Sequence, residues 1–164
     1  MKFRTGDIFS PNRTGHEMVV CHPVNFKGEM EEGLALQIRT MFPMVYESNK
    51  RECGRTPYCK DMLGRTSFTP VKHNGYDYNI ASLFVLCGFR SGKWSIDHHA
   101  LRKALSSVRT MAMPLPARTL TTVRIPYKMG CELEDGDWDI VRQTIFDELE
   151  AYCIPVEIWK KDTV

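Results

Sequence analysis

Hydrophobic residues along the chain follow two kinds of pattern, one with the period of strands and one with the period of helices. Short runs rich in β-branched and aromatic residues predict strands at residues 2–4, 18–21, 66–71, 78–86, 119–125 and 156–159. Several of these runs carry almost no polar side chain, which is typical of strands that are buried on both faces of a sheet.

Helices are predicted between these strands, where apolar residues recur at intervals of three and four positions. Residues 96–113 carry one such stripe, and Pro114 ends the pattern. The members of the stripe are Ala100, Leu101, Ala104, Leu105, Val108, Met111 and Ala112. A stripe on one side of a helix predicts that the helix covers a sheet.

Two further helices and one short helix are predicted in the same way. Asp137 is a candidate N-cap for a helix that ends before Pro155. Its predicted buried face comprises Ile140, Val141, Ile145, Leu149 and Tyr152. The other long helix begins near Glu32 or Gly33, and its predicted buried residues are Leu34, Ala35, Ile38 and Phe42. Pro43 opens the short helix, which runs through Tyr46. Alternating strands and helices predict an α/β sandwich with a central sheet that is at least partly parallel.

Composition and charge support a folded chain of one domain, residues 1–164. Apolar residues make up 43% and charged residues 26% of the chain, which are globular proportions. The net charge of +2, with no long basic run, makes nucleic acid an unlikely partner. Because the sequence has neither a long apolar run nor the apolar segment of a signal peptide, we expect a cytoplasmic protein that is not bound to a membrane.

The cysteines give no pattern of a metal or disulfide site. Six are scattered without CxxC spacing, and only Cys53 and Cys59 are near neighbours. A metal at that pair would need partners that the sequence does not offer, so we predict no metal and no cofactor.

Two loops that contain glycine follow predicted strands and precede predicted helices. The first is residues 25–35, and the second is residues 130–138. At such junctions an open α/β sheet leaves a crevice, and helix N-termini present free backbone N–H groups. Glycine allows the backbone to approach an anion closely, so the loops are candidates for phosphate binding, although plain turns are the alternative.

Residues in both loops resemble the macro domain family of ADP-ribose-binding proteins. Residues 24–35, VNFKGEMEEGLA, are similar to the family's first loop, VNxxGxMGxGLA, and residues 125–133, IPYKMGCEL, are similar to its second, IPxxGCGL. The family resemblance runs from residues 6–9 to Trp159. Residues 79–84 and 136–141 resemble further segments of a subgroup found in bacteria and phages, which is similar to the terminal ADP-ribose protein glycohydrolases. The resemblance implies a three-layer α/β/α domain with a central mixed sheet flanked by helices.

The resemblance also implies contacts to ADP-ribose or a related nucleotide. Asp7 and Ile8 would meet the adenine, Trp159 could stack on it, and Asn25 would lie near the distal ribose. The first loop would wrap that ribose and one phosphate through Gly28, Met30, Glu31, Gly33 and Leu34. The second would cover the diphosphate through Gly130, Cys131, Glu132, Leu133 and Gly136. Each contact has a structural alternative: Asp7 as a turn cap, Trp159 as core, Asn25 as a partner of loop backbone.

Two acidic residues depart from the family pattern. Glu31 and Glu132 stand where the family usually has glycine. A carboxylate about 6 Å from a phosphate would cost on the order of 2 to 3 kcal/mol at an effective dielectric near 20, a roughly hundredfold loss of affinity. Either these side chains point to solvent, or the ligand differs from ADP-ribose.

The resemblance leaves catalysis open. The related glycohydrolases use a lysine on the strand that matches residues 78–86, and this strand has none. Hydrolysis of an ADP-ribosyl bond or of ADP-ribose 1″-phosphate would then use water, with Glu134 or Asp135 as general base and His22 as a second candidate base. The alternatives are a non-catalytic module that sequesters or reads a nucleotide, with ADP-ribosylated protein as a further candidate partner, and a degenerate macro fold that serves protein interaction.

Overall fold

The computed structural model describes residues 1–90, 93–116, 119–130 and 135–163. Within these ranges seven strands form one sheet, and their bounds are β1 Lys2–Thr5, β2 Glu17–Asn25, β3 Thr66–His73, β4 Tyr76–Arg90, β5 Lys93–Ile96, β6 Thr121–Pro126 and β7 Val156–Lys160. The helices are α1 Gly33–Met41, α2 Pro43–Arg55, α3 His98–Ala112 and α4 Asp135–Glu148, with short 3₁₀ turns at Cys59–Met62 and Glu150–Tyr152. Among the described residues, no helix has both the length and the apolar character needed to cross a membrane.

The strands lie in the order β1-β7-β6-β2-β4-β3, and β5 pairs with the second half of β4. Neighbours from β1 to β4 in this order are parallel, whereas β3 and β5 run antiparallel to β4. The sheet is therefore mixed, with helices on both faces, as predicted. The predicted strands are all present. The four-residue strand β5 was not predicted, and its last residue, Ile96, was wrongly assigned to the helix predicted at 96–113, which begins at His98.

Alternate side chains of the central strands enter two separate cores. Val19, Ala81 and Val123 face α3 and α4, whereas Val20 and Ile80 face α1, α2 and the segment that follows β1. On the first face, Glu148 accepts hydrogen bonds from Arg102 and Arg109 and so joins α4 to α3. The sheet thus divides the molecule into three layers, and its central strands are covered on both sides.

The predicted face of α3 is correct. Its apolar stripe is buried apart from Met111, which is half-buried against the same core. Asp97 caps the helix by accepting a hydrogen bond from the amide of Ala100 at 2.8 Å. The start of α1 at Gly33 also matches the prediction, and Ile38 and Phe42 are buried.

Two predictions about the other helices were wrong. Helix α2 does not stop near Tyr46 but continues to Arg55, because the buried position Asn49 is polar and hides the stripe. Helix α4 begins at Asp135, so Asp137 lies inside its first turn rather than at the cap; acidic residues are favoured at both places.

The predicted buried face of α4 also needs correction. Val141, Ile145 and Leu149 are buried, but Ile140 and Tyr152 are exposed. Ile140 lies about 100° around the helix from Val141, outside the stripe. The ring of Tyr152 lies beyond the helix, under the guanidinium of Arg109 at 4.3 Å.

Candidate functional site

The two glycine-containing loops leave the same edge of the sheet. Because β2 and β6 are parallel neighbours, their carboxyl ends at Asn25 and Pro126 point the same way. Both loops then reach Leu86 on β4: the amide of Phe26 donates to the Leu86 carbonyl at 3.2 Å, and a Cβ on Gly130 would lie 3.1 Å from the Leu86 Cδ2. The loops therefore begin side by side, at the edge where ligands bind in open α/β sheets.

Asn25 shapes the first loop from within. Its side-chain oxygen accepts hydrogen bonds from the amides of Lys27 and Glu29, both at 3.1 Å, and its amide group donates to the Glu29 carboxylate at 3.3 Å. The amide of Gly28 donates to the Asn25 carbonyl, and the φ of Gly28 is 69°. Asn25 thus satisfies loop backbone, the structural role that the sequence offered beside ribose contact.

Helix α2 supports this loop from below. Lys50 Nζ donates to the carbonyl of Lys27 at 3.1 Å, and Cys53 Sγ lies 3.0 Å from the position a Cβ on Gly28 would take. The sequence analysis missed Lys50 and Cys53 because it ended the predicted helix at Tyr46. The spacing of four between Val45, Asn49 and Cys53 was the pattern that could have extended the helix.

The rest of the first loop contains both buried and exposed side chains. Met30 is fully buried, and Leu34 is half-buried, whereas Glu31 is exposed. Gly33 begins α1 with a φ of 54° and with open space where a Cβ would stand. The Glu31 side chain is therefore in contact with solvent.

His22 lies beneath the loop in a closed polar cluster. Its Nε2 is 2.8 Å from Ser82 Oγ, and Asn49 donates to the same oxygen at 2.9 Å. All three side chains have no solvent exposure, and burial lowers the pKa of His22 to about 3. Among the described residues, His22 Nδ1 and Asn49 Oδ1 have no hydrogen-bond partner. The imidazole is therefore neutral and shielded from solvent, an environment that gives a general base no contact with a ligand in the crevice.

The segment after β1 brings Asp7, Ile8 and Trp159 together. Strand β1 pairs with β7, and the amide of Gly6 donates to the carbonyl of Lys160 at 2.9 Å. A Cβ on Gly6 would lie 3.8 Å from the Trp159 ring. Asp7 is exposed and caps a turn, since its Oδ1 accepts from the amide of Phe9 at 2.9 Å, and Ile8 is buried.

Trp159 is half-buried, and one face of its indole is already covered. The guanidinium of Arg124 lies 4.7 Å from the ring centroid, and the indole N–H donates to Glu157 Oε2 at 3.1 Å. Any stacking partner would meet the opposite face. Arg124 was missed by sequence reasoning, although a lone cation inside the otherwise uncharged strand at 119–125 was a visible sign.

The second loop is described only in part. Gly130 has a φ of 69° and is half-buried, and Asp135 and Gly136 form the start of α4. The predicted ligand or catalytic residues Cys131, Glu132, Leu133 and Glu134 lie outside the described residues. No group of three or more potential metal ligands occurs in the part of the chain that the structure describes.

Neither a family model nor a curated protein matches the chain. Solved structures do match it. A macrodomain protein from Streptomyces coelicolor has a TM-score of 0.74 at 19% identity, with 99% of each chain covered. The macrodomain of Mycobacterium tuberculosis DarG has a TM-score of 0.71 at 18% identity, covering 96% of this chain and 95% of that one. Thermosipho africanus DarTG, solved in complex with ADP-ribose, has a TM-score of 0.68 at 18% identity. This match covers 97% of the present chain and 41% of the DarTG chain. These structural matches show a shared fold, and identities below 20% show nothing beyond the fold.

Proposed function

We propose that this chain, which has the macrodomain fold, binds ADP-ribose or a closely related nucleotide across its two glycine-containing loops. The diphosphate lies over the backbone of both loops, the distal ribose lies at the first loop, and the adenine lies at the segment after β1. The structural neighbour DarTG was solved with ADP-ribose, which makes this ligand the first to test.

The observation that carries the proposal is the meeting of the two loops at Leu86. Gly28 and Gly130 both have a φ of 69°, which turns successive backbone amides in a way that favours concave anion sites. The loops leave parallel strands at one edge, so both can contact one anionic group. In the first loop the amides of residues 26–29 are already bonded to Leu86 and Asn25, so the proposal assigns the phosphate contact to backbone amides that follow Glu29.

The opposite end of the proposed site suits a nucleobase. Asp7 uses Oδ1 for the turn, and its second carboxylate oxygen supplies an acceptor for the exocyclic amino group of adenine. The half-buried ring of Trp159 supplies apolar surface beside it, and Ile8 belongs to the core that this ring packs against. In the sheet, β7 and β6 lie between β1, which precedes this segment, and β2, which precedes the first loop.

Binding rather than hydrolysis is the function that we assign first. Strand β4 has no lysine, and His22 is buried with a lowered pKa, so neither supplies a nucleophile or a base to the crevice. Hydrolysis of an ADP-ribosyl bond would rest on Glu134 or Asp135 at the second loop.

Calorimetric titration of the chain with ADP-ribose tests the proposal. We expect saturable heat with one site per chain, and no heat at millimolar ligand would contradict binding and favour a surface for protein interaction. Incubation with ADP-ribosylated protein and with ADP-ribose 1″-phosphate, followed by mass spectrometry, separates an enzyme from a binder. Unchanged substrates are the expected result, and release of ADP-ribose that is lost in Glu134→Gln or Asp135→Asn would contradict it.

A further inference from the structure

Arg124 is a buried cation on β6, beneath the segment that carries Asp7. The residue is 3% exposed and lies between Val20 on β2 and Glu157 on β7. A charge removed from water is costly unless it is paired and fully hydrogen-bonded. Its contacts therefore indicate what the fold gains from placing an arginine there.

Most of these contacts go to the backbone of the segment that follows β1. Arg124 Nη1 donates to the carbonyls of Ile8 and Ser10, both at 2.7 Å. The hydroxyl of Tyr78 donates to the carbonyl between them, that of Phe9, at 2.9 Å. Three successive carbonyls of a segment without helix or strand structure are thus held by side chains from the sheet. These bonds fix the path of the chain immediately after Asp7.

The other contacts of Arg124 hold Trp159. Arg124 Nε donates to Glu157 Oε2 at 3.2 Å, and the same oxygen accepts the indole N–H of Trp159. The guanidinium plane also covers one face of the indole. One planar, multiply donating group therefore connects the two walls of the proposed nucleobase end, a task that a lysine with its single ammonium group does not reproduce.

We propose that Arg124 is the positioning residue that sets the selectivity of this site for adenine, acting through the Asp7–Ile8 backbone and Trp159 and without touching the ligand. The inference rests on the proposed function, because it assigns the nucleobase end of that site. It predicts that replacing Arg124 reduces the preference for adenine more than it reduces the affinity for the phosphates.

The test compares Arg124→Lys with the wild-type chain by calorimetry against two ligands, ADP-ribose and its analogue with hypoxanthine in place of adenine. We expect the affinity for ADP-ribose to fall about tenfold or more, which corresponds to about 1.4 kcal/mol. The affinity for the hypoxanthine analogue should change by less than about threefold, because that ligand gains little from the adenine contacts. The ratio of the two affinities should therefore approach one.

Arg102→Lys is the matched control, since Arg102 pairs with Glu148 on the opposite face of the sheet. It should leave both affinities unchanged. If Arg124→Lys does not fold, as judged by circular dichroism, Tyr78→Phe replaces it: this change removes the bond to the Phe9 carbonyl and should lower the ratio in the same direction.

A parallel loss for both ligands, or an unchanged ratio, overturns the inference and assigns Arg124 a structural role alone. A wild-type chain that binds neither ligand overturns the proposed function first. A wild-type chain that binds both equally well leaves ADP-ribose binding intact and overturns the selectivity role.

Discussion

His22 shows how burial sets the charge state of a single side chain. The imidazole is completely buried against Ser82 and Asn49, and its pKa is lowered to about 3 by loss of solvent. In the unfolded chain the pKa of histidine is about 6.5, so below that pH the unfolded state binds more protons than the folded state. The contribution of the neutral, buried His22 to the free energy of unfolding is therefore fully present above about pH 6.5 and is lost as the pH falls toward 3.

We predict that His22 makes the free energy of unfolding fall by about 1.4 kcal/mol for each pH unit below about 6.5. Urea unfolding at a series of pH values, in the wild-type chain and in His22→Gln, measures this contribution as the difference between the two slopes. Equal slopes for both proteins would show that the imidazole is protonated in the folded state.

Asp7 combines a turn with the proposed recognition of adenine, and one substitution separates these roles. Asn in place of Asp7 keeps an oxygen for the Phe9 amide but presents an amide donor on its other side. We predict that Asp7→Asn weakens ADP-ribose and strengthens the hypoxanthine analogue, whose carbonyl accepts a hydrogen bond. Asp7→Ala should lose the preference for adenine altogether.

Calorimetry with both nucleotides measures the change at Asp7. Asp77→Asn is the control, because Asp77 is an exposed carboxylate on β4 that pairs with Lys72 near the other edge of the sheet. Equal affinities before and after Asp7→Asn would remove the adenine assignment.

The first loop and α2 act together as an element, and two glycines isolate the contribution of their packing. Gly28 and Gly33 both have positive φ, but a Cβ on Gly28 meets Cys53 Sγ at 3.0 Å, whereas a Cβ on Gly33 meets open space. An L-residue in this conformation costs roughly 1 to 2 kcal/mol. We predict that Gly33→Ala costs about this amount and that Gly28→Ala costs more.

Unfolding in urea gives both free energies for the loop variants. The double variant Gly28→Ala with Cys53→Ala should recover part of the additional loss, because the alanine removes the sulfur that the new methyl group contacts. Costs that are equal for Gly28→Ala and Gly33→Ala would show that α2 yields to the methyl group.

The helices that the sequence predicted well are those whose apolar stripe is continuous. The pattern in α3 placed its face and its end at Pro114 correctly, because every core position is apolar. Helix α2 was predicted too short, since Asn49 is a buried polar residue whose partners Ser82 and Met30 come from distant segments. Local periodicity does not report such partners, and the support of the first loop by α2 was missed for the same reason.

At the scale of the molecule, the alternation of strands and helices predicted the α/β class, and the loop motifs predicted the macrodomain fold. The order of strands did not follow from the pattern. Strand β1 pairs with β7, at the far end of the chain, and no local feature of residues 2–4 indicates that partner. The role proposed for Arg124 depends on this arrangement, because Arg124 contacts the segment after β1 as well as β7.

A bound nucleotide should stabilise the whole fold, since its proposed contacts span segments from both halves of the chain. We predict that ADP-ribose at 100 times its dissociation constant raises the free energy of unfolding by about 2.7 kcal/mol. Thermal unfolding with increasing ligand measures the effect through the rise in melting temperature. A melting temperature that does not respond to ADP-ribose would contradict binding to the folded state.

The pairing of β1 with β7 also bears on how the protein matures on the ribosome. Lys2 pairs in register with Glu157, so β1 cannot join the sheet until β7 has been synthesised. The glycine loops can assemble around β2, β4 and β6 beforehand, and the carbonyls of residues 8–10 can already bond to Arg124 and Tyr78, but the amide of Gly6 meets its partner Lys160 only once β7 has emerged. Because Trp159 lies on β7, we expect nascent chains that end before β7 to lack the base preference that is proposed for the folded protein.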